Sequence, residues 1–193
     1  RLEEAETLLD EVQAQMPPQN QTDPVQARAM LYLKQGRAEE ALCLLQTRLY
    51  RLANETLGCL VSMMLPKLVA DPARGRCMAH AYHCVAEAFG LADLSDGPLL
   101  EILLDAGDVA GAAALLPDYV RRLTEPVPCP EPLIFSPGVS CGEKNSRPIS
   151  DVMCAMVYET LCRDKAFDAV RAQPQAQAAI LELEAYLRRK GAI

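Results

Sequence analysis

The sequence lacks tryptophan and is poor in other aromatic residues, with three phenylalanines and six tyrosines among 193 residues. Aromatic and β-branched side chains are enriched in strands, so this scarcity argues against a β-rich fold. The chain also lacks any run approaching the roughly 20 apolar residues that span a bilayer. Its start, RLEEAETLLDEV, is acidic and has no basic segment leading into an apolar one, unlike a secretory signal. These absences predict a cytoplasmic all-α protein that does not bind membranes.

Signatures of catalysis are also missing. The sequence contains no P-loop, no GxGxxG and no HExxH, and it has only two histidines. The segment 138–142 (GVSCG) matches the GxSxG pattern, but that motif needs a strand before its serine and a histidine after it. Here proline-rich sequence surrounds the serine, and both histidines precede it. We therefore predict no catalytic residues, no cofactor and no enzymatic activity.

Acidic residues outnumber basic residues, so the net charge is −7 and the isoelectric point is near 4.9. An acidic surface repels a phosphate backbone, so we expect no direct nucleic-acid binding by this chain. No CxxC pair occurs among the eight cysteines, and six of them lie in helix-like apolar patterns. This distribution predicts reduced, buried thiols, as is usual in the cytosol.

What the sequence does contain is amphipathic helix, repeated along the chain. Small residues recur at positions 5, 41, 77 and 112, at intervals of 36, 36 and 35 residues. The last three each lie five residues after a helix breaker, namely Gly36, Pro72 or Gly107. A small residue one turn after a breaker lets the two helices of a hairpin approach closely, and stacked hairpins share a continuous core. The pattern predicts stacked helical hairpins (an α-solenoid), and the alternative is a helical bundle with chance spacing.

Three regions follow from these patterns. We expect helical hairpins over residues 1–123, a proline-rich loop over 124–149, and further helices over 150–193 that pack on the same domain. The loop carries six of the fourteen prolines. Its Leu133-Ile134-Phe135 segment is predicted to dock on the helices as an apolar anchor. Ser150 and Pro174 are predicted to start the last long helices, and Gly191 to end the final one.

The segment CMAHAYHC (77–84) combines the only two histidines with two cysteines. On a helix Cys77, His80 and Cys84 share one face, and thiolate and imidazole are good zinc ligands. The alternative is that Cys77 takes the close-approach position of the third hairpin while Cys84 packs as a small hydrophobe. We favour packing and predict no metal site, since one helix face presents ligands poorly.

Asn54 stands inside a long helical pattern that runs from Ala38 to Leu65. Asparagine is a modest helix former and often caps a helix, so one interpretation places it at a helix boundary. The other interpretation is that it projects into a groove, where its amide can bind the backbone of a ligand peptide.

The run LYLKQGRAEEALCLL resembles a tetratricopeptide repeat in its Tyr32, Gly36, Ala41 and Leu45 pattern. Longer stretches, including AEAFGLADLSDGPLLEILLDAGD, are similar to the C-terminal helical region of xenobiotic-response-element-type helix-turn-helix transcription regulators of Gram-positive bacteria. The resemblance implies that a DNA-binding part precedes this region and that the tetratricopeptide-like part forms a homodimer. It further implies binding of a peptide or protein ligand in a concave groove, where Asn54 would match the asparagine that holds the ligand backbone.

The resulting prediction is a non-catalytic regulatory, dimerisation and peptide-sensing domain of a transcription regulator. Two alternatives stay open. One is a stand-alone tetratricopeptide-like scaffold that gathers partner proteins. The other is a metal- or thiol-based redox sensor that uses Cys77, His80 and Cys84.

Overall fold

The computed structural model describes residues 2–15, 24–130, 134–135 and 146–193. In these residues helices account for nearly all regular structure, which confirms the all-α prediction. The helices are α1 (Leu2–Gln15), α2 (Val25–Lys34), α3 (Ala38–Met63), α4 (Pro72–Phe89), α5 (Asp96–Asp105), α6 (Val109–Thr124), α7 (Asp151–Arg163), α8 (Asp168–Arg171) and α9 (Pro174–Lys190), with a 3-10 turn at Lys165–Phe167. None of these described helices is long and apolar enough to cross a membrane.

Two helical hairpins have the same turn geometry. In the α2–α3 turn, Gly36 has φ +78° and the N–H of Arg37 donates to the carbonyl of Tyr32 at 2.9 Å. In the α5–α6 turn, Gly107 has φ +73° and the next N–H donates to the carbonyl four residues before the glycine, at 2.8 Å. Only glycine adopts such left-handed conformations without strain. The small residues that follow these turns, Ala41 and Ala112, are both buried as predicted.

The third hairpin departs from the prediction. Cys77 is exposed, and the close-approach position belongs instead to Gly75, where an added Cβ would lie 3.1 Å from Ile102 of α5. The reason is the rotation of α4, which turns Gly75 toward Ile102 of α5. The helix begins after Asp71, whose carboxylate accepts from the N–H of Ala73 at 3.0 Å. From that start the buried face passes through positions 75, 79, 82 and 86, at helical spacing. Position 77 falls on the opposite side.

The buried residues form two clusters. The larger one joins α5, α6, α7 and α9, and its fully buried members include Leu103, Leu116, Val120, Leu183 and Leu187. The smaller one lies between α3 and α4 around Leu57, Tyr82 and Ala86. Helix α4 packs on both α3 and α5, so it connects the first three helices to the main core.

The described residues of the proline-rich region lie against the helices. Strand β1 (Val127–Pro128) pairs antiparallel with strand β2 (Ser146–Arg147). The backbone at 128–130 lies so close to Gly90 that an added Cβ there would be 2.5–2.7 Å from it. Cys129 is disulfide-bonded, so the prediction of reduced thiols is wrong at this position. The GVSCG segment, Leu133 and Cys141 lie outside the described residues.

The C-terminal helices begin and end near the predicted residues. Pro174 opens α9, and Gly191 ends it in the left-handed conformation with φ +67°. Ser150 is the residue before α7, but its hydroxyl makes no capping hydrogen bond. Helix α9 packs on α6 and α7 through a stripe that includes Leu183 and Leu187.

Candidate functional site

The side chains of Cys77, His80 and Cys84 lie on the exposed face of α4. Cys84 Sγ lies 3.8 Å from His80 Nε2, one helical turn away. The packing role predicted for Cys77 and Cys84 is therefore wrong, because neither side chain enters the core. In the part of the chain that the structure describes, no three His, Cys, Asp or Glu side chains group as a metal ion requires.

Asn54 lies within α3, well inside its bounds, so the helix-boundary interpretation is wrong. Its Nδ2 donates to the carbonyl of Tyr50 at 2.8 Å, one turn back along the same helix. The residue is exposed and borders a shallow depression of about 380 Å³ together with Tyr82, Leu91 and Leu94. Its role in ligand binding stays a prediction.

A charged cluster that we did not predict joins α4, α5 and α6. Arg122 Nη1 lies 2.6 Å from Asp96 Oδ2 and 3.3 Å from Asp93 Oδ2, so one guanidinium serves two carboxylates. His83 Nδ1 lies 2.9 Å from Asp93 Oδ2, and the hydroxyl of Ser95 donates to Asp93 Oδ1 at 2.6 Å. The cluster is not apparent from the sequence, because His83 and Arg122, which both contact Asp93, lie 39 residues apart along the chain. The sequence shows only ADLSDGP, a segment rich in residues that cap helices.

The contacts of this charged cluster are suited to holding α4, α5 and α6 together by ion pairs and hydrogen bonds, rather than to catalysis. Burial raises the pKa of Asp96 to about 6, and it outweighs the opposing effect of Arg122, while the nearby Asp93 carboxylate raises the pKa further. The Ser95 hydroxyl donates to Asp93 and not to His83, so no Ser–His pair is formed here. The adjoining cavity is small, about 220 Å³.

A further depression lies between α5 and α7. Two adjoining cavities of about 250 and 550 Å³ share Glu101, Thr160 and Phe167 as lining residues, so together they form one groove. We call this the α5–α7 groove. Its floor is apolar, and is made by Leu100 and Leu104 of α5, Tyr119 of α6, Met153, Met156, Val157 and Leu161 of α7, and Phe167.

The local sequence explains how the groove is built. In α5 the apolar side chains cover most of the circumference and are buried, which leaves Glu101 and Asp105 adjacent on the exposed side. In α7, residues 153, 156, 157 and 160 recur at helical spacing and face the groove. Met156 is 65% exposed, so much of its apolar side chain is open to solvent beside the groove.

The rim of the α5–α7 groove is acidic. Glu101, Asp105 and Asp164 line it, and Lys67 is the single basic lining residue. Asp164 also caps the 3-10 turn, where its carboxylate accepts from the N–H of Ala166 at 2.9 Å. An apolar floor with a negative rim complements a ligand that is apolar on one side and positively charged at its edges. This groove was not predicted from the sequence, because α5 and α7 are distant in the chain.

Comparison with known proteins adds no identification. No protein-family model, no curated protein and no solved structure matches the chain. The class that fold and groove define is an all-α protein with two matching helical hairpins and an acidic-rimmed apolar groove.

Proposed function

We propose that this chain is a non-catalytic protein-interaction module, built from tetratricopeptide-like helical hairpins, that binds a basic amphipathic helix of a partner protein. The observation that carries the proposal is the α5–α7 groove, with its apolar floor and acidic rim. An amphipathic helix binds such a groove by inserting its apolar face between the two receptor helices. Lysine or arginine residues beside that face would then lie next to Glu101 and Asp105.

The dimensions of the groove suit a short helical segment. Along α5 the lining residues extend from Gly97 to Asp105, a length of about 12 Å or roughly two helical turns. Two turns present three or four apolar side chains on one face, at positions i, i+3, i+4 and i+7. The exposed Met156 supports this proposal, since flexible methionine side chains adapt to apolar ligands.

The wider context that we propose is the regulatory part of a helix-turn-helix transcription regulator. The resemblance of the hairpin sequences supports it, and the two glycine turns with buried Ala41 and Ala112 are compatible with it. The complete coding sequence tests this part of the proposal. A basic helix-turn-helix segment upstream of Arg1 is expected, and its absence would favour a stand-alone interaction scaffold.

Fluorescence anisotropy with a synthetic probe tests the groove itself. The probe is a labelled amphipathic helix with leucine on one face and lysine on the flanks, and its control carries glutamate in place of lysine. We expect saturable binding of the lysine peptide that weakens as salt is added, because exposed charges are screened. Equal binding of both peptides would contradict an acidic rim as the selective element.

Matched variants locate the binding. The double variant Glu101→Gln/Asp105→Asn is expected to weaken binding of the lysine peptide about tenfold, which corresponds to about 1.4 kcal/mol. The control Glu159→Gln/Glu182→Gln removes the same number of exposed acids outside the groove and is expected to leave affinity nearly unchanged. Met156→Lys places a charge on the apolar floor and should abolish binding. Equal effects of the groove and control variants would overturn the proposal.

A further inference from the structure

A tyrosine hydroxyl opens into the floor of the α5–α7 groove. Tyr119 of α6 is 8% exposed and lines the cavity of about 250 Å³ beside Gly97 of α5. A Cβ added at Gly97 would lie 3.2 Å from the Tyr119 hydroxyl oxygen, so the glycine leaves that oxygen uncovered on the groove side. A larger residue at position 97 would close this opening.

The Tyr119 hydroxyl has no hydrogen-bond partner among the described residues. It is also not completely enclosed, because every fully enclosed polar side-chain atom in the described part of the chain is paired. Buried tyrosine hydroxyls usually find a partner, since an unpaired one loses the hydrogen bonds that it makes with water. Water in the groove can supply that bond, so a ligand that displaces the water must replace it. The hydroxyl therefore selects a ligand with a polar group at this point.

The other walls of this cavity select an apolar body for the same ligand. Thr160 lines the cavity, but its hydroxyl donates to the carbonyl of Met156 at 3.0 Å along its own helix. Unbranched methionine side chains adapt to a flexible chain that lies between them. The cavity thus fits a long apolar stem with a polar tip. Its large apolar lining residues are Leu100, Met153, Met156, Val157, Leu161 and Phe167.

The charge around the hydroxyl is negative. Glu101 lies one helical turn after Gly97 on the groove side of α5, and its side chain is exposed at the rim. Burial raises the pKa of Tyr119, and the carboxylates of Asp96 and Glu101 raise it further, so the phenol stays neutral. A neutral phenol oxygen accepts a hydrogen bond, and the nearby carboxylates favour a donor that carries positive charge.

We infer that the partner helix inserts one lysine side chain into this cavity, where its ammonium group donates to the Tyr119 hydroxyl oxygen and pairs with the Glu101 carboxylate. This inference rests on the proposed function. It adds a lysine within the apolar face of the partner helix to the lysines on the flanks of that face. Tyr119 is then the residue that determines which side chain occupies the centre of the interface.

The donors and acceptors of the cavity favour lysine over other polar side chains. An ammonium group has three donors on a flexible four-carbon stem, and Tyr119, Glu101 and water at the rim can accept from them. Arginine has five donors in a rigid fork, and the apolar walls would leave some of them unpaired. An acidic side chain would be repelled by Glu101.

Peptides that differ at one position test the lysine. The lysine peptide that tests the groove carries leucine at the centre of its apolar face. Two derivatives carry lysine or norleucine at that position, and we call them the central-lysine and central-norleucine peptides. Norleucine has the stem of lysine without the ammonium group.

Fluorescence anisotropy compares the two derivatives. We expect the chain to bind the central-lysine peptide about tenfold more tightly than the central-norleucine peptide, as for one hydrogen bond to a charged group. Binding of the central-norleucine peptide that is as tight as binding of the central-lysine peptide would overturn the inference.

The variant Tyr119→Phe assigns this preference to the hydroxyl, because it removes one oxygen atom and keeps the ring. We expect the preference for lysine to fall to about twofold or less, while the affinity for the central-norleucine peptide stays nearly unchanged. Gly97→Ala should act in the same direction, since its Cβ would stand over the hydroxyl. Tyr32→Phe is the matched control, because it removes a hydroxyl on α2, away from the groove. A preference in Tyr119→Phe equal to that of the wild type would overturn the inference.

The original lysine peptide separates this inference from the proposed function. Saturable binding of that peptide, together with no preference between the two derivatives, would overturn the lysine anchor and leave the groove as the binding site. Failure of all three peptides to bind would instead overturn the proposed function, and this inference with it. Circular dichroism checks that each variant keeps the helical fold.

Discussion

The side-chain amide of Gln46 in α3 donates a 2.6 Å hydrogen bond to the main-chain carbonyl of Ile134, 88 residues further along the chain. The next residue, Phe135, is almost fully buried and packs edge-on against Tyr50 and Phe89, at ring-centroid distances of 6.1 and 6.0 Å. A buried amide and a buried ring therefore fasten the proline-rich region to the junction of α3 and α4. This confirms the predicted Leu133-Ile134-Phe135 anchor at Phe135, whereas the side chain of Ile134 is exposed and Leu133 lies outside the described residues.

Replacing Phe135 should destabilise the protein markedly. Phe135→Ala removes a ring that contacts two other rings, and we expect the free energy of unfolding to fall by about 3 kcal/mol. Urea denaturation followed by circular dichroism measures this change. Ile134→Ala is the matched control, because Ile134 is exposed and its truncation should cost less than about 0.5 kcal/mol. Equal effects of the two variants would contradict the anchoring role.

Features that depend on neighbouring residues were predictable, and features that depend on distant contacts were not. The turns at Gly36 and Gly107 follow from local chemistry, since glycine tolerates the left-handed conformation that ends a helix. The rotation of α4 does not follow from local chemistry, because it depends on contact between Gly75 and Ile102 of another helix. The α5–α7 groove likewise arises from two helices whose facing residues lie more than 50 positions apart.

A matched pair of substitutions on α4 tests its rotation. Gly75→Val inserts a branched side chain where even a Cβ lies 3.1 Å from buried Ile102, and we expect destabilisation of about 2 kcal/mol from overpacking. Cys77→Val makes a similar change on the exposed side of the same helix and should shift stability by less than about 0.5 kcal/mol. Chemical denaturation of both variants gives the comparison. If Cys77→Val destabilised the protein more than Gly75→Val, Cys77 and not Gly75 would be the close-approach residue.

The pH dependence of stability should report the burial of Asp96. Burial raises the pKa of its carboxyl from 3.8 to about 6 in the folded protein, so the folded state holds a proton between these values that the unfolded state has released. The free energy of unfolding should therefore fall as the pH rises from about 4 to about 6. The contribution from this one group is of the order of 3 kcal/mol in total.

Asp96→Asn isolates this contribution, since the amide stays neutral and can still accept from Arg122. We expect the variant to match the wild type near pH 4 and to exceed it in stability near pH 7, as measured by urea denaturation across the range. Asp118→Asn serves as a control with the opposite sign, because Arg121 lowers the pKa of Asp118. Its loss should remove a stabilisation that grows as the pH rises to about 4, and should leave the decline between about pH 4 and 6 nearly unchanged. Parallel stability curves for the wild type and Asp96→Asn would rule out a raised pKa.

Thiol reactivity should separate the exposed face of α4 from the core. Cys77 and Cys84 are exposed, so an alkylating reagent should modify both in the folded protein, as mass spectrometry of the peptides would show. Cys154 is buried and its thiol donates to the carbonyl of Leu123, and burial raises its pKa, so it should react only on unfolding.

Adding zinc to the same labelling reaction tests the metal-sensor alternative. Cys84 lies 3.8 Å from His80, but Cys77 lies two turns of α4 away from Cys84, and a structural zinc site needs four ligands held together. We therefore expect an equimolar amount of zinc to leave the alkylation rates of Cys77 and Cys84 unchanged. A His80→Ala variant should behave in the same way. Joint protection of both thiols by zinc, lost in His80→Ala, would instead establish a metal site on this face.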